Sequence, residues 1–194
     1  MQSLAHELMA RGIPHHLTRE PGGTLLGEMV RPLILDRSGP APSPRAELLL
    51  YEASRAQHVE EVIRPKLAGG AWVISDRFAA SSIAFQAGGR EIPLAHVEWL
   101  NSFATKGLEP DLTVLLDLSV EEARARRQGR TDSNGESEDR IESEADAFHE
   151  RVRQGFLDQA DRDPARWLVL SARETPESLK TTLIAVLKER HWLD

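Results

Sequence analysis

The sequence predicts an α/β fold built around a parallel sheet. Two observations carry that expectation. Four short, nearly continuous apolar runs, at 14–18, 71–75, 112–118 and 167–171, alternate with longer stretches of helical periodicity, the pattern of βαβ units. The runs are apolar on consecutive residues, as strands covered on both faces must be. A third observation concerns placement: charge and glycine collect just after the first two runs, where an open parallel sheet presents its ligand crevice.

Taken in order, "MQSLAHELMARG" reads as an amphipathic helix and leads into the strand at 14–18. Helices are expected at 25–35, 46–67, 81–87, 94–105, 120–127, 144–160 and 176–188. The last begins well, with Thr175 as N-cap and Pro176 at the first helical position. In the long helix, Leu49, Ala53, Ala56, Ile63 and Leu67 share one face and are expected to form a core stripe. Only "GRTDSNGESE", residues 129–138, reads as a flexible polar loop.

A chain of 194 residues with 40% hydrophobic content suits a single domain, 1–194. No run of about 18 apolar residues could span a bilayer, and no basic-then-apolar leader opens the chain. A cytoplasmic location without membrane association is therefore expected. The absence of cysteine excludes disulfides, thiolate metal sites and a cysteine nucleophile. A net charge of −7 gives no support for nucleic-acid binding, so an anionic ligand would have to be held by a local cluster of arginines. The seven histidines form no HExxH, and neither GxSxG nor GxGxxG occurs.

The first strand ends in Arg19-Glu20-Pro21-Gly22-Gly23 and the second in Asp76-Arg77, which places charge at the ligand edge twice. Tyr51 and Arg55 lie four residues apart on the long helix, roughly opposite its apolar stripe. A ring beside a guanidinium can stack on a planar base and hydrogen-bond its edge.

These features come together in the stretches "LTREPGGTLLGEMVR", "AELLLYEASRAQHVEEVIRPKLAGGAWVISDRFAASSIAFQ", "LNSFATKGLEPDLTVLLDLS" and "DRIESE". In this order and spacing they resemble the bacterial thymidylate kinases, which transfer a phosphoryl group from ATP to dTMP. The resemblance runs almost from Met1 to the helix near Glu144. It implies the three-layer fold of P-loop nucleoside monophosphate kinases, ATP with Mg2+, and a homodimer formed through helices.

It also implies roles for individual residues. Tyr51 would stack on thymine while Arg55 reaches a base carbonyl. Arg31 and Arg77 would bind the acceptor phosphate, a good bidentate target for guanidinium, with Arg77 also near the transferred group. Arg19 and Glu20 would line the acceptor pocket, and Ser81, Ser82 and Gln86 would surround base and sugar. Asp76 would hold the water shell of magnesium. Many relatives carry tyrosine where this chain has Phe85; its ring would still exclude a ribose 2′-hydroxyl by size.

The segment "EEARARRQGRTDSNGESEDRIESE" resembles the family's lid, here 124–142. Phosphoryl transfer relies on positioning and on cationic charge around the transferred group. Arg127 and Arg130 are the expected catalytic arginines, ahead of Arg124 and Arg140. Glu142 has no firm role.

The family's GxxxxGK[ST] loop, whose amides cradle the donor phosphates, is not found in the 194 residues. In the family it follows a central strand and leads into the helix that Met1 begins. By ordinary element lengths this strand and loop would occupy about 17 residues. Two readings stay open: an enzyme whose start lies upstream of Met1, or a non-catalytic, dTMP-responsive regulatory or scaffold protein. In either case the 194 residues alone are expected to fold poorly and to show negligible kinase activity, because a missing central strand would leave both of its neighbours with unpaired ladder groups.

Overall fold

The computed structural model describes residues 1–134 and 138–193, with the side chains of 130–134 left out. Strand β1 (His15–Arg19) pairs in parallel with β2 (Trp72–Asp76), and β3 (Thr113–Asp117) pairs in parallel with β4 (Trp167–Ser171). The first two strands lie one residue beyond the apolar runs. Pro14 has no N–H for a ladder and supplies only its carbonyl, to Trp72 N at 2.8 Å. At the other end Arg19 and Asp76 pair through backbone groups, which are indifferent to side-chain charge.

Among the described residues the two pairs are separate ladders, not one continuous sheet. The expected burial on both faces therefore fails at β3, where Leu116 is 54% exposed. Register still aligns the carboxyl ends, with Arg19 opposite Asp76 and Asp117 opposite Ser171. The Glu20 N–H extends the first pair by donating to Asp76 O at 2.9 Å, so the turn after β1 is fixed beside the end of β2.

The helices are α1 (Gln2–Ala10), α2 (Leu25–Leu35), α3 (Pro44–His58), α4 (Arg64–Ala68), α5 (Ala79–Ser82), α6 (Leu94–Thr105), α7 (Val120–Asn134), α8 (Asp146–Arg162) and α9 (Pro176–Glu189). A π-helical turn, Val59–Ile63, joins α3 to α4, and another, Ile83–Gly89, extends α5. Thr175 caps α9 as expected, its side chain accepting from Ser178 N at 3.2 Å. Thr24 does the same for α2.

One apolar cluster joins Leu8 of α1 to Leu187 of α9, with Trp72, Ile74 and Leu112 packed against it. A second sets Ala84 against Phe148 and Val152 of α8, with Phe85 and Phe156 alongside. Gly89 is required here, because a Cβ at this position would lie 2.5 Å from the Phe148 ring.

Two further expectations need correction. Of the expected stripe, Ile63 is buried and Ala56 half-buried, but Leu49, Ala53 and Leu67 face outward, Leu49 being 56% exposed, while α3 buries Glu47, Leu48, Glu52, Ser54, Arg55 and His58. A polar face can be buried when its groups satisfy one another, and these do except at Glu52 Oε2, which is buried without a hydrogen-bond partner. The apolar face is thereby left uncovered. In addition, α7 runs on through most of the expected polar loop, to Asn134. Gly129 alone costs a helix only about 1 kcal/mol, and no proline interrupts it. Residues 135–137 of that expected loop lie outside the described residues.

Candidate active site

The turn after β1 is held by a buried ion network. Arg55 is 1% exposed and Glu20 is 3% exposed. Arg55 Nε donates to Glu20 Oε2 at 2.8 Å, while Nη1 lies 2.6 Å from Glu52 Oε1 and 2.8 Å from both Ser82 Oγ and Asn101 Oδ1. His58 continues the chain of contacts, with Nδ1 3.0 Å from Glu20 Oε1 and Nε2 2.6 Å from Thr18 Oγ1. Gly23 (φ +76°) fits this corner because it lacks a side chain: a Cβ would lie 2.7 Å from both the His58 ring and Thr18 Oγ1.

Charge balance explains why the network can be buried. Desolvation opposes the Arg55 charge, but Glu20 and Glu52 outweigh it and raise its pKa. Desolvation also pushes the Glu52 carboxyl up, against the pull of Arg55. The opposite charges compensate one another at close range.

This geometry changes the roles of two expected ligand contacts. Both Glu20 oxygens face protein partners, so Glu20 braces the turn and does not line an open pocket. Nε and Nη1 of Arg55 are likewise engaged, which leaves Nη2 as the nitrogen with which it can meet a ligand. Ser82 Oγ belongs to the same network, and Ser81 is buried beside it. Arg19 turns outward to Glu28 at 3.1 Å, away from this cluster.

The remaining residues face one another more directly. Arg77 sits at the end of β2 with φ +72°, a left-handed turn that sends its guanidinium over the Phe85 ring, 4.8 Å from the centroid. Phe85 also stands 6.0 Å from Phe156 and 6.2 Å from Phe148, so its ring is fixed by α8. Burial pushes the Tyr51 phenol up to about 12, with Arg77, Glu47, Asp139 and Arg55 as the charged groups around it. It is neutral at physiological pH and suited to stacking. Arg31 Nη1 donates to Pro21 O at 2.8 Å, which ties α2 to the turn. A cavity of about 360 Å3 opens on the Arg31 side, against Asp36, Arg37, Glu138 and Asp139.

Gln86 is 1% exposed and its Nε2 donates to Glu47 Oε1 at 2.9 Å. Arg90 grips the same carboxylate, with Nη2 2.8 Å from Glu47 Oε2, and also reaches Glu144 Oε1 at 2.6 Å. Asp76 is exposed at the end of β2. Among the described residues no group of three acidic or histidine side chains could chelate a metal.

In the segment expected to form a lid, Arg127 Nε is buried without a hydrogen bond and stands 3.6 Å from Glu138 Oε1. Arg124 is occupied by Asp146 at 2.8 Å. Arg140 donates to the carbonyls of Asp36 and Gly39. The Arg130 side chain lies outside the described residues.

Sequence reasoning missed Glu47, Glu52, His58, Arg90 and Asn101. For Glu47 and His58 a signal existed: Glu47, Tyr51, Arg55 and His58 recur at helical spacing on one face of α3. The arrangement as a whole combines guanidinium groups at strand ends with a neutral ring and an amide, which suits a small phosphorylated molecule with a planar base.

Comparison with known proteins agrees. The family model described as "Thymidylate kinase" matches residues 1–183. The chain is 64% identical to a thymidylate kinase of Bdellovibrio bacteriovorus over 190 residues, covering 98% of this chain and 89% of that protein. It is 50% identical to a thymidylate kinase of Carboxydothermus hydrogenoformans, covering 92% of this chain and 84% of the relative. The crystal structure of a thymidylate kinase from Ehrlichia chaffeensis superposes with a TM-score of 0.70 at 30% identity, covering 96% of this chain and 86% of the other.

Proposed function

We propose that this chain, which belongs to the thymidylate kinase family, carries the acceptor half of an ATP:dTMP phosphotransferase. The observation that carries the reading is the joining of the turn after β1 to α3 through Glu20 and Arg55, which holds a phosphate-facing turn and Tyr51 on one rigid frame. Arg31 and Arg77 receive the dTMP phosphate, Tyr51 stacks on thymine, and Arg55 and Gln86 meet its polar edge, with Ser81 beside them. Phe85 packs toward the sugar and disfavours a ribose 2′-hydroxyl. Arg19, at the rim, adds positive potential.

The acceptor phosphate oxygen attacks the γ-phosphorus of ATP, the bond to the ADP oxygen breaks, and dTDP and ADP leave. Arg77 on the acceptor side and Arg127 and Arg130 on the lid side balance charge as it redistributes over the transferred oxygens. Asp76 would hold the magnesium ion of the nucleotide through water, where that ion neutralises phosphate charge.

The 194 residues contain no GxxxxGK[ST], so dTMP binding without appreciable turnover is expected of them. Calorimetric titration with dTMP, followed by a coupled ADP-release assay, tests both parts. Turnover at ordinary kinase rates of about 1–100 per second would contradict the second part, and absence of dTMP binding by protein that shows a cooperative urea transition would contradict the first.

The exposed side of α2, α3 and α6 points to a homodimer. Met29 and Leu33 on α2, Leu49 on α3, and the stacked Trp99 and Phe103 on α6 are all exposed on helices that pack together. An apolar face of this kind usually marks an interface. Sedimentation equilibrium should give twice the 21.6 kDa of one chain, and Trp99→Glu should return the single-chain mass. A wild-type chain that stays monomeric at high concentration would refute the dimer. No described helix is long and apolar enough to cross a membrane, and small-molecule chemistry on nucleotides fits a cytoplasmic protein.

A further inference from the structure

We propose that Glu47 is a positioning residue that determines base specificity, by locking the Gln86 amide with its carbonyl toward the nucleobase. The inference rests on the acceptor-site reading above. Gln86 Nε2 is 2.9 Å from Glu47 Oε1, and a carboxylate facing a guanidinium offers only acceptors. The amide nitrogen must therefore face Glu47, and Gln86 Oε1 must face away from it. Amide orientation is often ambiguous in structures, but here the chemistry of the partner decides it.

Glu47 cannot readily move to allow the opposite orientation. Arg90 Nε lies 3.1 and 3.2 Å from its two oxygens, and Arg90 Nη2 lies 2.8 Å from Oε2. Arg90 is itself fixed by Glu144 at 2.6 Å and by the Phe148 ring, 4.8 Å below its guanidinium. The backbone of Gln86 is anchored as well, its carbonyl accepting from Ile92 N at 3.0 Å.

A fixed acceptor selects a base with an imide N–H, as in thymine or uracil, over cytosine, whose ring nitrogen at that position only accepts. Two acceptors face to face leave a buried group unpaired, and sites built to pair a donor reject its absence strongly. In Glu47→Gln the new amide can accept from Arg90 and donate to Gln86 Oε1, so the Gln86 amide is free to turn.

The test is a pair of calorimetric titrations, with dTMP and with dCMP, on the wild-type 194-residue chain, on Glu47→Gln and on Glu47→Asp. The preference for dTMP should fall by about tenfold or more in Glu47→Gln and persist in Glu47→Asp, which keeps the acceptor-only character. An unchanged preference in Glu47→Gln would overturn the proposal while leaving dTMP binding intact. A wild-type chain that shows a cooperative urea transition yet binds neither nucleotide would instead overturn the functional reading. Should the variants not fold, the 15N-labelled wild-type chain decides: Gln86 side-chain N–H protons should be protected from exchange before dTMP is added. Protection that appears only with dTMP would place the donor at the base and refute the lock.

Discussion

Arg55→Met should destabilise the fold by about 3–5 kcal/mol at neutral pH, the cost of stranding buried charge. The substitution nearly conserves volume but leaves Glu20 and Glu52 side by side, with Ser82 Oγ and Asn101 Oδ1 losing their donor. Urea denaturation at fixed protein concentration measures it as a lower midpoint. The deficit should shrink in acid. Burial already raises the Glu52 pKa, with Arg55 holding it down, so removing Arg55 raises it further. A carboxyl whose folded pKa is raised lowers stability as pH climbs past its unfolded value, and the penalty is therefore smaller at pH 4 than at pH 7. A variant as stable as wild type would show that the network does not hold the turn.

Arg77→Ala should weaken dTMP binding by about 10- to 150-fold, the loss of roughly 1.5–3 kcal/mol of charge-assisted hydrogen bonding. Stability should change little, because the Arg77 side chain is exposed and alanine is no more strained than arginine at φ +72°. The contrast with thymidine sharpens the result. If Arg77 meets the phosphate, nucleoside binding should be nearly unaffected, whereas equal loss for nucleoside and nucleotide would mean that the variant disturbs the base pocket through the Phe85 ring.

Much of the fold can be read from local pattern. The spans of α2 and α6 coincide with their sequence expectations, because periodicity and packing agree there. Helix α3 shows where such reading fails. Counting apolar residues selects Leu49, Ala53, Ala56, Ile63 and Leu67 as core and is right at Ile63, yet over Pro44–His58 the helix turns a polar face inward, where Arg55 unites residues from three distant segments. Burial of charge depends on partners 35 and 46 residues away in sequence, which no local window contains. The same holds for Gln86, whose amide meets Glu47 across 39 residues, while Arg90 reaches that carboxylate across 43. For α7 the failure is of another kind: a polar composition resembles a loop, but with no proline to interrupt it the helix continues to Asn134.

The central claim is that an acceptor-nucleotide site resides within these residues. Titrating dTMP into the wild-type chain and into Arg77→Ala, with thymidine as the reference ligand, tests it most directly. The wild-type chain should bind dTMP saturably, with affinity at least tenfold weaker in the variant and thymidine affinity nearly equal in both. Wild-type binding no tighter for dTMP than for thymidine would contradict it.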